Sequence, residues 1–184
     1  MTDILISIQP KWCEKIANGE KTIEIRKTRP KLETPFKVYI YCTKGKFEVH
    51  ECLRNNLHYD DSTIKVCESQ GKVIGEFVCD RIELINPAWR YLDARCVDGT
   101  GYILGKACLT SQQLLDYGQG KLLYAWHISD LKIYDKPKGI HEFCKPCGKQ
   151  LDKKLCDYCH IKGRYKNFIL KKPPQSWCYV EVRE

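Results

Sequence analysis

Residues 19–26 carry the clearest chemical signal in this 184-residue sequence, because they bring Lys21, Glu24 and Arg26 close together. In an extended chain, Glu24 and Arg26 share one face of the strand and two isoleucines share the other, which would face a core. Lysine and arginine can neutralise a phosphate or donate to a base carbonyl, and a carboxylate can accept an amino group or a proton. The segment therefore predicts a nucleotide site. The same pattern also fits a solvated sheet face on which Glu24 forms an ion pair worth under about 1 kcal/mol.

The spacing Gly19-x-Lys21-x-x-Glu24-x-Arg26 resembles the signature of the ASCH domain family. Residues 4–16 also resemble the strand and helix that precede the signature in that family. The resemblance implies a PUA-like fold in which this strand lines a cleft for RNA or a modified nucleoside. It therefore predicts an RNA-binding or nucleotide-binding protein.

A second hypothesis, a small hydrolase, remains open because some relatives of this family are enzymes. One branch resembles amidohydrolases that deacetylate N4-acetylcytidine with a threonine at the position of Glu24, and a carboxylate cannot supply that hydroxyl nucleophile. Another branch resembles metal-assisted ribonucleases acting on RNA. Under the hydrolase hypothesis Lys21 and Glu24 form the acid/base pair, and Arg26 anchors an oxyanion or a phosphate. A protein-interaction scaffold is the third possibility.

Three further residues near the signature are candidate nucleic-acid contacts. Trp12, in the predicted first helix, would either line the cleft or cover the end of the barrel. Lys27 and Arg29 would extend the positive rim, although charged loop residues are usually only solvated.

Four of the twelve cysteines form two Cys-x-x-Cys pairs, Cys144 with Cys147 and Cys156 with Cys159, separated by eight residues. Two such pairs complete the tetrahedral sulfur shell that is typical of structural zinc. We therefore predict a structural Zn²⁺, with His141 or His160 as an alternative ligand. Four thiolates leave no open coordination position, so the metal is expected to fold the segment and not to catalyse.

The cysteine-rich segment is also strongly basic. Residues 144–172 contain nine Lys or Arg against two Asp, a formal excess of +7, whereas the whole chain carries +8. Aromatic residues are interleaved with these cations, a mixture that binds phosphate and stacks on unpaired bases. The predicted nucleic-acid contacts of this segment are Lys153, Lys154, Arg164 and Lys166. A merely soluble basic finger would have the same composition.

The remaining composition limits the class of protein. No segment approaches the roughly 18 consecutive apolar residues of a membrane span, and the first residues carry an acid where a signal peptide has basic residues. We expect a soluble cytoplasmic protein without a membrane partner. The other eight cysteines show no framework spacing and are predicted to be reduced and structural. The sequence does not predict the oligomeric state.

The hydrophobic pattern predicts strands over residues 4–8, 22–26, 38–42, 72–84, 122–133 and 177–182. It predicts one helix over 10–18 that ends at Gly19 and another that begins after a capping box at Thr110 and ends at Gly118 or Gly120. Gly75 indicates a bulge or a close backbone approach, and residues 44–71 read as a variable loop.

Five or six short strands with two helices predict an α+β protein, a mixed β-barrel with flanking helices and a small zinc insertion. The predicted division is a PUA-like barrel over residues 1–140, the basic zinc-binding insertion over 141–172 and a closing barrel strand over 173–184.

Overall fold

The computed structural model describes residues 2–45, 69–86, 100–146 and 168–182. These residues mix sheet and helix, which confirms the α+β class. The strands are β1 (Asp3–Ile8), β2 (Ile23–Arg26), β3 (Phe36–Cys42), β4 (Val73–Cys79), β5 (Ile82–Ile85), β6 (Leu123–His127), β7 (Ser129–Lys138), β8 (Phe143–Cys144) and β9 (Trp177–Val182). The helices are α1 (Pro10–Ala17), α2 (Thr100–Ala107) and α3 (Ser111–Gly118), with a 3₁₀ turn at Ile140–Glu142.

The strands form two hydrogen-bonded sheets. The large sheet has six strands in the order β7-β4-β3-β1-β9-β8, and the small sheet has three in the order β2-β6-β5. Within the large sheet β1 runs parallel to β3 and antiparallel to β9. The closed barrel implied by the family resemblance stays a prediction.

Hydrophobic layers cover both faces of the small sheet. On one face Trp126 packs into a cluster with Ile4, Ile6 and Val38 of the large sheet. On the other face Ile23, Ile25 and Ala125 pack with residues of α2 and α3. All four residues of β2 are therefore buried, and the polar side of this strand is not the solvated sheet face that its alternation allows.

Capping residues and glycines define the ends of the two predicted helices, α1 and α3. Pro10 occupies the first turn of α1, and Gly19 follows the helix with a φ of 74° that suits glycine. Thr110 caps α3 by accepting a hydrogen bond from the Gln113 amide, and the Gln113 side chain completes the capping box. These predictions are confirmed, whereas helix α2 was not predicted.

Two segments predicted as single strands are each divided between the sheets. The prediction over 72–84 was wrong, because β4 belongs to the large sheet and β5 to the small one. The same holds for 122–133, where β6 and β7 separate at Ile128. The two crossings run side by side, since the His127 amide donates a 3.0 Å hydrogen bond to the Arg81 carbonyl. Two consecutive polar residues interrupt the alternation near each crossing, Asp80-Arg81 and Ser129-Asp130, a signal that the strand predictions did not use.

Gly75 confirms the predicted close approach. The pairing of β4 with β7 shifts register beside it, and a Cβ at this position would overlap the Lys132 carbonyl oxygen. Most of the predicted variable loop lies outside the described residues. In the described part of the chain, no helix is long and apolar enough to span a membrane.

Candidate functional site

Lys21, Glu24 and Arg26 meet as an ion cluster at β2. Glu24 lies between the two cations, with its Oε1 2.9 Å from Arg26 Nη2 and its Oε2 3.3 Å from Lys21 Nζ. Their side chains are 2%, 9% and 9% exposed for Lys21, Glu24 and Arg26. Each charge is thus compensated inside the protein, which a buried ion requires.

The ammonium of Lys21 has two backbone hydrogen bonds and one ion pair. It donates to the carbonyls of Ile23 and Ala107, each at 2.8 Å, besides its contact with Glu24. A lysine ammonium has three donors, which equals the number of these polar partners. In this geometry Lys21 ties β2 to the end of α2, and a role as acid or base would require it to leave one of these partners.

Arg26 retains donor capacity. Its Nη2 donates to the Ser7 carbonyl at 2.7 Å, and its Nη1 contacts Ser176 Oγ at 3.4 Å. Its Nε is buried and has no hydrogen-bond partner among the described residues. Because Glu24 and Ser7 hold the guanidinium in place, the unpaired N–H is fixed in direction.

The register of the small sheet shows what lies beside the cluster. Glu24 lies opposite Trp126, and Arg26 lies opposite Tyr124. Directly opposed residues share a face, with Cβ atoms about 5 Å apart. Trp126 is fully buried, and its indole Nε1 also lacks a partner among the described residues. Two donors therefore remain unpaired on the face that carries Glu24 and Arg26.

The other predicted nucleic-acid contacts near β2 are Trp12, Lys27 and Arg29. The Trp12 ring has two lysines close to it, with Lys21 Nζ 5.3 Å and Lys11 Nζ 4.6 Å from its centroid. Lys27 and Arg29 are exposed. Lys27 Nζ lies 5.0 Å from the ring centroid of Tyr117, a residue of α3. Burial raises the pKa of Tyr117, on which the charges of Arg26 and Glu24 act in opposite directions.

The charges of Glu24 and Arg26 act on the thiol of Cys13, and the structure argues against its use as a nucleophile. Burial raises the pKa of Cys13 well above its ordinary value, and the neighbouring Cys42 and Glu24 raise it further. A thiol becomes reactive when its pKa is lowered. Cys13 therefore acts as a small hydrophobic residue between α1 and the large sheet, in line with the prediction for the scattered cysteines.

Only the base of the predicted zinc insertion is described. Cys144 lies in β8 and is buried, whereas Cys147, Cys156 and Cys159 lie outside the described residues, as do His160, Lys153, Lys154, Arg164 and Lys166. The Lys145 amide donates to the Phe168 carbonyl and the Leu170 amide to the Phe143 carbonyl, both at 2.8 Å. The two ends of the insertion thus pair with each other. Within the described ranges no group of three or more metal-ligating side chains occurs, and His141 is exposed.

Sequence reasoning missed Tyr124 and Trp126 as neighbours of the ion cluster. Both lie about 100 residues from β2 in the chain, and only strand pairing brings them together. Their alternation in a strand-like segment was visible, but no sequence signal gave the partner strand.

Comparison with known proteins identifies the fold. The model of a family described as "ASCH domain" matches residues 6–113, more than half of the chain. The crystal structure of ASCH from Zymomonas mobilis is similar at a TM-score of 0.55 and 19% identity, covering 97% of this chain and 87% of that one. Crystal structures of two point mutants of that protein give TM-scores of 0.56 and 0.57 at 19% and 18% identity, covering 97% of this chain and 90% and 88% of theirs. No curated protein matches the sequence.

Proposed function

The chain belongs to the ASCH domain family, and from that premise we propose that it binds RNA or a nucleotide in a cleft lined by β2. The family is generally RNA-binding. The observation that carries the proposal for this chain is the unpaired Nε donor of Arg26, which Glu24 and Ser7 hold in a fixed direction.

The unpaired groups favour a ligand rich in acceptors. Arg26 Nε and Trp126 Nε1 are both donors, and a buried donor without a partner costs about 1–3 kcal/mol. Base carbonyls and phosphate oxygens are acceptors that would satisfy them. Exposed Lys27 and Arg29, which follow β2 directly, would contact the phosphate backbone.

The predicted insertion is part of the same proposal. Cys144, Cys147, Cys156 and Cys159 would hold a structural Zn²⁺, since the pairing of Phe143 and Lys145 with residues 168–170 closes the segment into a loop that is too small for its own core. Its cations would then contact the nucleic-acid backbone. The division into residues 1–140, 141–172 and 173–184, and a cytoplasmic location, belong to this proposal.

A hydrolytic activity on RNA or on acetylated cytidine stays a prediction of the sequence. The buried hydrogen bonds of Lys21 to two backbone carbonyls do not favour it.

The proposal is tested by titrating labelled single-stranded RNA with the protein at several salt concentrations, followed by fluorescence anisotropy. The test variant is Lys27→Ala with Arg29→Ala, two exposed positions whose replacement spares the core. We expect weaker binding and a shallower salt dependence, because each lost phosphate contact removes about 0.7 from the slope of log K against log salt for single strands.

The matched control replaces two exposed cations of β7, Lys132→Ala with Lys136→Ala, which removes the same net charge from the large sheet. The proposal fails if the wild-type protein shows no salt-sensitive binding, or if the control loses as much affinity as the test variant.

A further inference from the structure

One row of side chains runs across the small sheet from the interior to the surface. Tyr124 of β6 lies directly opposite Arg26 of β2 on one side and Leu84 of β5 on the other, so the three side chains share a face. The Arg26 side chain is 9% exposed, Tyr124 is half-buried and Leu84 is 60% exposed. Tyr124 therefore lies between a buried cation and an exposed apolar residue.

Leu122 is a second exposed leucine, close to Tyr124 in the chain. It immediately precedes β6, two residues before Tyr124 in the chain, and is 47% exposed. Four large hydrophobic residues are exposed in the described part of the chain, and Leu84 and Leu122 are two of them. Clustered exposed apolar residues mark a binding surface more often than isolated ones do.

The chemistry of the row favours a flat heterocycle as its occupant. A nucleobase has an apolar face that can stack on a tyrosine and an edge of carbonyl oxygens that can accept from a donor such as Arg26 Nε. The phosphate that follows a base in RNA would meet the positive charge of the adjacent, exposed Lys27. A protein partner would use the two leucines but would leave the cation without a reason for its unpaired donor.

We propose that Tyr124 and Leu84 form a stacking shelf for one unpaired nucleobase, and that this shelf restricts the protein to single-stranded RNA. The inference rests on the proposed function and names its substrate class. In an A-form duplex the base faces are covered by neighbouring bases, so only loops, ends and single strands can offer a face to an aromatic side chain.

The experiment compares the binding of one labelled single-stranded RNA and its duplex to the wild-type protein, Tyr124→Ala and Tyr124→Phe. Loss of a base stack costs Tyr124→Ala about 5-fold to about 150-fold in affinity for the single strand. Tyr124→Phe keeps the ring and should bind like the wild type. Both of these proteins should bind the duplex more weakly than the single strand, and Tyr124→Ala should reduce that difference because it lacks the stack.

Two further variants separate stacking from misfolding. Leu84→Ser changes a 60% exposed side chain, so it should fold normally and still weaken single-strand binding. Tyr102→Ala removes a tyrosine of α2 that is 58% exposed and lies 5.8 Å from Lys106 Nζ. It provides a matched aromatic-cation control and should leave the affinity unchanged.

The failure of this inference is distinguishable from that of the proposed function. If the wild type binds no single-stranded RNA, the proposed function fails and the shelf with it. If salt-sensitive binding is present but Tyr124→Ala and Leu84→Ser leave it unchanged, or if duplex and single strand bind equally, the shelf is overturned while the proposed function stands. The shelf is also overturned if Tyr124→Ala and Leu84→Ser both lose binding to a protein partner while their RNA binding stays intact.

Discussion

Arg26 joins the two sheets through the backbone of Ser7. Its Nη2 donates a 2.7 Å hydrogen bond to the Ser7 carbonyl, which belongs to β1 of the large sheet, while the same nitrogen lies 2.9 Å from Glu24 Oε1 in the small sheet. A terminal guanidinium nitrogen carries two N–H donors, so Nη2 can serve both acceptors at once. The residue that we place at the ligand therefore also supports the fold.

Replacing Arg26 should destabilise the protein strongly. Arg26→Ala leaves the buried Glu24 with Lys21 alone and removes the donor to Ser7, so we expect a loss of about 3 kcal/mol in the free energy of unfolding. Urea denaturation measures this value. The control is Arg81→Ala, which breaks an exposed pair with Glu83 (60% and 37% exposed side chains) and should cost under about 1 kcal/mol. Equal costs would contradict the structural role of Arg26.

Two glycines should respond to alanine with opposite signs. Gly75→Ala places a Cβ against the Lys132 carbonyl oxygen and should destabilise by about 1–3 kcal/mol. Gly105→Ala, in α2, meets nothing within 4 Å and should stabilise by about 0.5–1 kcal/mol, because alanine has the better helix propensity. Thermal or urea unfolding measures the change in the free energy of unfolding for both variants. If both changes had the same sign, either the close contact at Gly75 or the open space at Gly105 would be contradicted.

Stability should decrease in alkaline solution partly through Cys79. Burial raises the pKa of this thiol from 9.0 to about 12. Below pH 9 the thiol is protonated in both the folded and the unfolded state, so the stability that Cys79 contributes to the folded state is fully present. Between about pH 9 and pH 12 the unfolded state ionises first, which removes about 1.4 kcal/mol per pH unit.

The variant Cys79→Ala isolates that effect. Its free energy of unfolding should fall below that of the wild type at pH 8, because a buried sulfur is removed. The difference should shrink by roughly 1–3 kcal/mol near pH 11, because the variant has no thiol to ionise. Urea denaturation at the two pH values measures the change, and a difference that stays constant with pH would refute the assignment.

The zinc proposal predicts the metal content of the purified protein. Elemental analysis should find about one Zn²⁺ per chain, because four thiolates complete one tetrahedral site. Cys144→Ser combined with Cys156→Ser should abolish it, and so should Cys159→Ser, which changes a single ligand. Cys108→Ser, a half-exposed cysteine beyond α2, is the control and should retain the metal. Unchanged zinc in the double variant would refute the site.

The sequence alone was sufficient for features that depend on neighbouring residues. Pro10 and Gly19 define the ends of α1, Thr110 and Gln113 cap α3, and the spacing of Lys21, Glu24 and Arg26 indicated the family that the chain belongs to. Each of these signals is read within about ten residues, because capping, turn and strand preferences act over that range.

Only the tertiary structure decided how the site is assembled. The alternation of β2 was compatible with a solvated face, but α2 and α3 cover one side and the large sheet covers the other, so the charges of Glu24 and Arg26 are buried and must pair. Likewise, only strand pairing placed Tyr124 and Trp126 opposite β2. Pairing between distant strands depends on which apolar surfaces the whole chain buries together, and a local pattern of period two does not contain that information.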